Sequence, residues 1–134
     1  MSEGKSARIL VMDDDEGVQM IASRTLEHMG YRVTTARHGK EAISLYRQAL
    51  EGGDRFAAVI LDLTIPGGMG GREVIGYLKE IDPTVQAFVS SGYADDPIMS
   101  DYAHHGFVGI IAKPFYYDEM VKELAKIKEV IDNA

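Results

Sequence analysis

Short runs of consecutive apolar residues alternate along this chain with segments in which apolar residues recur every three or four positions. A short apolar run is typical of a strand that is buried on both faces of a parallel sheet. A spacing of three and four residues instead places the apolar side chains on one face of a helix. The runs predict five strands, at 9–12, 31–36, 56–61, 85–89 and 108–112.

The helical spacing predicts five helices, one after each strand. Gly30 is well placed to end the first helix, since glycine readily adopts the left-handed conformation that follows a helix terminus. Asp96 and Pro97 resemble an N-cap followed by proline at the first helical position. The fourth helix is short and weakly patterned. The predicted helices cover about 18–29, 42–50, 74–81, 98–104 and 120–131.

Strands that alternate with helices predict a parallel sheet with right-handed crossovers. Strands that are apolar on both faces need helices on both sides of the sheet. The expected fold class is therefore α/β, a doubly wound, flavodoxin-like (βα)5 sandwich with a five-stranded parallel sheet in the order 2-1-3-4-5. The chain of 134 residues is predicted to be a single domain with a core from about 8 to 131.

Composition narrows the class of protein. The net charge of −7 argues against direct binding to nucleic acid, since an acidic surface repels phosphate backbones. The chain has no cysteine, which excludes disulfides, thiolate catalysis and cysteine metal sites. It has neither an apolar run of about 18 residues nor the apolar stretch of a signal peptide. We therefore expect no membrane span and a cytoplasmic location.

Carboxylate, hydroxyl and ammonium side chains follow four of the predicted strands. The carboxyl ends of parallel strands meet at one edge of the sheet, where ligands bind in this fold class, so these side chains are expected to line one cleft. They are Asp13, Asp14, Asp15 and Glu16 after strand 1, Asp62 after strand 3, Ser90 and Ser91 after strand 4, and Lys113 with Pro114 after strand 5.

This set of residue types indicates phosphoryl chemistry. Crowded carboxylates repel one another unless a cation neutralises them. Oxygen ligands without histidine or cysteine favour Mg2+ or Ca2+, and Mg2+ also accepts phosphate oxygens. A carboxylate such as Asp62 can attack phosphorus and form an acyl phosphate. Lys113 and the Ser91 hydroxyl could then contact the phosphate oxygens.

A nucleotide site is a weaker interpretation. A flavin or dinucleotide fold would need a glycine-rich phosphate loop after strand 1, where this chain has three aspartates. The glycine-rich sequence GGMGG, at 67–71, follows strand 3 and lacks the lysine of a P-loop. It is interpreted as a flexible turn before the third helix.

Four segments resemble the receiver (response regulator) family of two-component signalling, and the match runs from about Arg8 to about Ile131. ILVMDDDE resembles the family's first strand and acidic pair, and LDLTIPGGMGG resembles its phosphoacceptor strand and loop. FVSSGYADDP resembles the strand that carries the hydroxyl, and IIAKPF resembles the lysine–proline segment. Their order, each at a strand end, makes the resemblance specific.

The resemblance implies a Mg2+ cofactor and a role for each matching residue. It implies that Asp62 is the phosphoacceptor and also a metal ligand. The other implied metal ligands are Asp14 directly, Asp13 through a water molecule, and the backbone carbonyl of Thr64. Ser91 and Lys113 are implied to contact the phosphate, and Pro114 is implied to follow a cis peptide bond.

Two features depart from the family pattern. The position three residues before the lysine is often aromatic in the family, but here it is Ile110, so the switch position lacks an aromatic side chain. The loop after Pro66 is one residue longer than the commonest loop of the family. Its sequence, PGGMGG, resembles that of receivers attached to hybrid histidine kinases.

The function implied is a phosphorylatable switch rather than an enzyme acting on an external substrate. Its expected partners are a histidine kinase or histidine phosphotransfer protein, and an output partner on the face formed by helix 4, strand 5 and helix 5. One alternative is a phosphatase resembling the haloacid dehalogenase group, because Asp13 and Asp15 have its DxD spacing, although a cap-sized insertion is missing. The other is a receiver that only binds partners.

Overall fold

The computed structural model describes residues 6–92, 96–113 and 117–133, with 117, 118 and 120 described by their backbone alone. Five parallel strands form one sheet. They are β1 (Arg8–Met12), β2 (Arg32–Ala36), β3 (Phe56–Asp62), β4 (Ala87–Ser91) and β5 (Gly109–Ala112). Their order is β2-β1-β3-β4-β5, which confirms the predicted topology.

The helices follow the strands as predicted. They are α1 (Glu16–His28), α2 (Gly39–Glu51), α3 (Gly71–Ile81), α4 (Pro97–Ser100) and α5 (Tyr117–Asp132). None of the helices in the described ranges is long and apolar enough to cross a membrane.

The fourth helix differs from its prediction as one continuous helix. It stops at Ser100, and a separate 3-10 turn follows at Tyr102–His105. Asp101 lies between them with φ −118° and ψ 34°, outside the helical region. Gly106, with φ +95°, then ends the turn in a left-handed conformation that glycine adopts without a steric penalty.

Local capping explains where α1 begins and ends. The Asp15 side chain accepts hydrogen bonds from the amides of Gly17 and Val18, which starts the helix two residues earlier than its apolar pattern indicated. Gly30, with φ +99°, follows the C-cap and confirms the predicted stop.

Each face of the sheet has its own apolar core because side chains alternate along a strand. From β1, Leu10 and Met12 pack into the core beneath α2, α3 and α4, whereas Ile9 and Val11 pack into the core beneath α1 and α5. All four are almost completely buried. The continuous apolar runs in the sequence therefore reflect burial on both faces, as predicted.

Asp82, immediately after α3, ties two helices to the amino-terminal end of the sheet. Its Oδ2 accepts hydrogen bonds from the Tyr46 hydroxyl and the Arg55 guanidinium, both at 2.7 Å. Its Oδ1 accepts from the Thr84 amide at 3.0 Å and the Thr84 hydroxyl at 2.6 Å. Burial alone would raise the Asp82 pKa, but hydrogen bonds from Thr84 and Tyr46, together with the Arg55 charge, lower it below the ordinary 3.8.

We predict that Asp82→Asn lowers the free energy of unfolding by about 1–3 kcal/mol at neutral pH, since it removes the charged acceptor of a buried network. A depressed pKa adds stability that is present above the ordinary aspartate value and is lost as pH falls through the folded value. The difference between variant and wild type, measured by urea denaturation, should therefore shrink on acidification below about pH 4.

Asp132→Asn is the control for this prediction. Asp132 pairs with Lys128 at 2.7 Å on the exposed surface of α5, so its replacement should change stability by about 0.5 kcal/mol or less. Equal effects of the two substitutions would contradict a specific role for the Asp82 network.

Candidate functional site

The carboxyl ends of β1, β3, β4 and β5 meet at one edge of the sheet. The ladder registers place Met12 beside Leu61, Asp62 beside Ser90, and Ser91 beside Ala112. The residues at these positions and immediately after them therefore share a cleft, as the sequence predicted.

Three aspartates converge in this cleft. Asp13 and Asp62 are buried, with 3% and 7% of their surface exposed, whereas Asp14 is exposed. One carboxylate oxygen from each residue lies within 4.8 Å of the others. The Asp15 side chain is not part of this cluster and instead caps the N-terminus of α1. The phosphatase alternative therefore loses its support, because Asp13 and Asp15 do not act as a pair.

Lys113 bridges the two buried carboxylates. Its Nζ donates a hydrogen bond to Asp13 Oδ2 at 2.7 Å and lies 3.5 Å from Asp62 Oδ2. Burial lowers the Lys113 pKa, but the hydrogen bond to Asp13 and the charges of both aspartates outweigh it, so that the pKa is raised above 10.5. The lysine therefore stays cationic.

The surroundings of Asp62 disfavour the charged form of its carboxyl group. Burial and the negative charge of Asp13 raise its pKa from the ordinary 3.8 to about 6, with a smaller contribution from Asp14. The Lys113 ammonium and a hydrogen bond from the Thr64 backbone amide act in the opposite direction. Asp62 is thus ionised at neutral pH, but its charge is only partly compensated by the protein.

The donor set fits a small divalent cation. It offers carboxylate oxygens alone, which hard cations such as Mg2+ prefer. Lys113 balances one of the three negative charges, which leaves an excess that a divalent ion can neutralise. Thr64, whose carbonyl the sequence resemblance adds to the set, lies two residues beyond Asp62 in an exposed position.

The remaining predicted positions take different places. Ser90 and Ser91 are both buried at the end of β4, and Ser90 lines a small cavity with residues of β1 and α1 on the opposite side of the sheet from α3. The Ser91 carbonyl accepts from the Lys113 amide at 2.9 Å, which connects these two site residues. Ile110 is half-buried against the apolar core of the α3 side. Pro114 lies outside the described residues.

Two residues that support the backbone of the site were not predicted from the sequence. Gln19 on α1 donates from Nε2 to the carbonyls of Asp13 and Ala36, which fixes the loop that carries the acids. Glu123 on α5 accepts from the Ala112 amide at 2.8 Å, next to Lys113. Neither follows a strand, so the rule that located the other site residues could not find them.

Lys126 completes this contact between α5 and the outer edge of β5. Its Nζ donates to Glu123 Oε1 at 3.0 Å and to the Ile110 carbonyl at 3.3 Å. Two side chains of α5 thus bind backbone groups of β5 that point away from β4.

Comparisons with known proteins agree with this geometry. The model of the response regulator receiver domain family matches residues 9–125. The chain is 27% identical over 113 residues to sporulation initiation phosphotransferase F of Bacillus subtilis, covering 84% of this chain and 86% of that protein. It is 28% identical over 120 residues to the response regulator receiver protein CpdR of Brucella abortus, covering 90% and 95%.

A longer relative contains a similar segment. Sensor kinase CckA of Brucella abortus is 29% identical over 128 residues, which is 95% of this chain but 13% of the kinase. Among solved structures, the receiver domain of HemR from Leptospira biflexa superimposes with a TM-score of 0.76 at 28% identity, covering 91% of this chain and 94% of that one. The CheX–CheY–BeF3–Mg2+ complex of Borrelia burgdorferi has a TM-score of 0.80 at 21% identity, covering 93% and 91%.

A flavodoxin-like sandwich with acids and a lysine at the carboxyl edge of its sheet defines a phosphoacceptor domain of two-component signalling. This chain belongs to the response regulator receiver domain family. Its relatives place it generally among phosphorelay proteins.

We predict that Asp62→Asn stabilises the fold when no divalent metal is present. The raised pKa means that ionisation of Asp62 costs folding free energy as pH rises from 3.8 to about 6. Urea denaturation with a chelator should give a gain of roughly 1–3 kcal/mol at neutral pH, falling to nothing near pH 4. A variant that is no more stable than wild type at neutral pH would show that the charge of Asp62 is compensated.

Proposed function

We propose that Asp62 is the phosphoacceptor of this receiver domain. The observation that supports this most directly is its position: a buried carboxylate at the end of the central strand β3, between two further aspartates and the Lys113 ammonium. Its pKa of about 6 leaves it ionised and nucleophilic at neutral pH. Incomplete compensation keeps it reactive toward an electrophilic phosphorus atom.

The donor is a phosphohistidine on a histidine kinase or a histidine phosphotransfer protein. One carboxylate oxygen of Asp62 forms the new O–P bond as the N–P bond of the phosphohistidine breaks. The imidazole nitrogen keeps the bonding electron pair and takes a proton. The product is an acyl phosphate on Asp62 and a free histidine on the partner.

Mg2+ is the proposed cofactor. Asp14, Asp62 and the Thr64 carbonyl would hold it directly, and Asp13 through a water molecule. When bound, it neutralises the charge that develops on the transferring phosphoryl group. The carboxylate-only donor set supports this assignment, as does the presence of Mg2+ with BeF3 in the CheY complex of Borrelia burgdorferi.

Lys113 and Ser91 complete the phosphate site. Lys113 Nζ lies 3.5 Å from Asp62 Oδ2, close enough to exchange its contact with Asp13 for one with a phosphate oxygen. The Ser91 hydroxyl donates to a second oxygen in our proposal. Because the Lys113 amide donates a hydrogen bond to the Ser91 carbonyl, a movement of one residue would also displace the backbone of the other.

The proposed output is a change on the face formed by α4, β5 and α5, which a partner protein reads. Ile110 stands where an aromatic residue would carry part of this change, so the movement here would depend on Ser91 and Lys113. The domain assists its own phosphorylation and dephosphorylation without turning over an external substrate. We place this exchange in the cytoplasm, and the acidic charge of −7 argues against nucleic acid as the direct partner.

We predict a gain of one phosphoryl group when the protein is incubated with acetyl phosphate and Mg2+. Intact-mass spectrometry should detect this gain in wild type and in Asp132→Asn, a surface control. It should be missing in Asp62→Asn and in wild type treated with a chelator. Equal labelling of Asp62→Asn would reject Asp62 as acceptor, and no labelling of wild type by any phosphodonor would favour a receiver that only binds partners.

We also predict that Lys113→Met slows phosphorylation on the order of a hundredfold, since it removes a cation aimed at the transferring group. Binding of Mg2+, followed by its effect on thermal unfolding, should be kept or strengthened, because two carboxylates lose their competing ammonium. Lys128→Met, an exposed lysine on α5, is the control. Loss of Mg2+ binding in Lys113→Met would indicate a collapsed site instead.

A further inference from the structure

The last two glycines of the GGMGG segment, Gly70 and Gly71, are tightly packed, whereas a flexible turn was predicted from the sequence. A Cβ atom added to Gly70 would lie 2.5 Å from the Leu63 carbonyl oxygen and 3.1 Å from the Ile65 nitrogen. Distances under 3.0 Å do not occur for real Cβ atoms. Gly70 has φ −96°, which any residue adopts, so the need for glycine is steric.

The peptide group that Gly70 contacts is the one that immediately follows the proposed phosphoacceptor and its neighbour Leu63. The Leu63 carbonyl and the Thr64 amide belong to a single planar unit, because the peptide bond does not rotate freely. Its oxygen faces Gly70, and the Ile65 nitrogen on the other side of Thr64 lies 3.1 Å from the same added Cβ, so Gly70 packs against the backbone on both sides of Thr64. A side chain at Gly70 would tilt this plane and so displace the Thr64 backbone, two residues beyond Asp62.

The strand side of the contact is anchored. The Leu63 amide donates to the Ser90 carbonyl at 2.8 Å, which holds Leu63 to β4. Displacing Leu63 would break this bond, so an added side chain at Gly70 turns the Leu63–Thr64 peptide more readily than it moves the strand.

The helix side is anchored as well. The Gly70 amide donates to Glu73 Oε1 at 3.1 Å, and its carbonyl accepts from the Val74 amide at 3.0 Å. Val74 is fully buried in the core. The adjacent Met69 carbonyl accepts from the Gly39 amide at the start of α2 at 3.1 Å. Retreat of the loop would therefore disturb two helices.

We propose that Gly70 is a positioning residue for the phosphoacceptor site: by having no side chain, it lets the start of α3 pack against the Leu63–Thr64 peptide and hold the Thr64 backbone beside Asp62. The structural part of this proposal stands on the described contacts, and its kinetic part rests on the proposed function of Asp62.

The first test is structural and needs no phosphorylation. Backbone amide NMR spectra of wild type, Gly70→Ala and Gly68→Ala are compared without metal, together with amide hydrogen exchange. Gly68 is the matched control, since its added Cβ would meet only the Ile65 side chain at an ordinary 3.5 Å. Gly70→Ala should shift the Thr64 resonance and speed its exchange relative to Val74 and Leu78, whereas Gly68→Ala should not.

An unchanged Thr64 resonance in Gly70→Ala, or an exchange increase shared equally by Val74 and Leu78, would overturn the proposal in favour of a general packing role. If Gly70→Ala does not fold, Glu73→Ala replaces it. This substitution removes the acceptor that holds the Gly70 amide at an exposed position. It should shift the same Thr64 resonance to a smaller extent, and no shift would again reject the proposal.

The second test is kinetic. With saturating Mg2+ and acetyl phosphate, Gly70→Ala should slow phosphorylation by about ten- to a hundredfold, as expected for a displaced reacting group, while Gly68→Ala stays within about twofold of wild type. A normal rate for Gly70→Ala would overturn the proposal. If wild type itself is not phosphorylated on Asp62, the proposed function fails, and the NMR comparison still decides the role of Gly70.

Discussion

Electrostatic repulsion among Asp13, Asp14 and Asp62 is the constraint on which the functional edge of this domain depends. The parallel sheet brings the carboxylates together because the chain places them after strands that end at the same edge. Lys113 offsets only part of the repulsion. Burial of Asp62 further increases the free-energy cost of its charged form. The folded domain therefore carries an electrostatic cost that a divalent cation can remove. Sheet topology thus creates both the cost and the cluster of carboxylates that fits a divalent cation.

The two ends of the sheet handle buried charge in opposite ways. At the amino-terminal end, Asp82 accepts from Tyr46, Arg55 and Thr84, and its pKa is lowered. At the carboxyl-terminal end, Asp62 has fewer compensating partners and a raised pKa. A carboxylate whose charge is compensated stabilises the fold, whereas one whose charge is only partly compensated costs folding free energy when it ionises. Burial raises the pKa of both carboxyl groups; the donors around Asp82 outweigh this effect, whereas at Asp62 the negative charge of Asp13 adds to it.

The fold and the acidic cleft were predictable because they depend on periodicity and on residues next to strand ends. Asp13, Asp62 and Lys113 were located in this way, and the strand order was confirmed. The break in the fourth helix at Asp101 was missed, since a backbone dihedral that leaves the helical region has no signature in a weak apolar pattern. Gln19, Glu123 and Gly70 instead contact the end of a strand from a helix or from its first turn. Such contacts depend on how helices pack on the sheet, which periodicity does not specify.

The contact of Glu123 and Lys126 with β5 has a consequence for how this domain meets other proteins. β5 is the last strand of the sheet, and an open last strand is a template on which another chain can add a strand of its own. Here the Ala112 amide and the Ile110 carbonyl are already bound by α5 side chains. Part of the hydrogen-bonding edge of β5 is therefore occupied within the domain. A strand that paired with these two groups would have to displace the α5 side chains, which works against edge-to-edge aggregation.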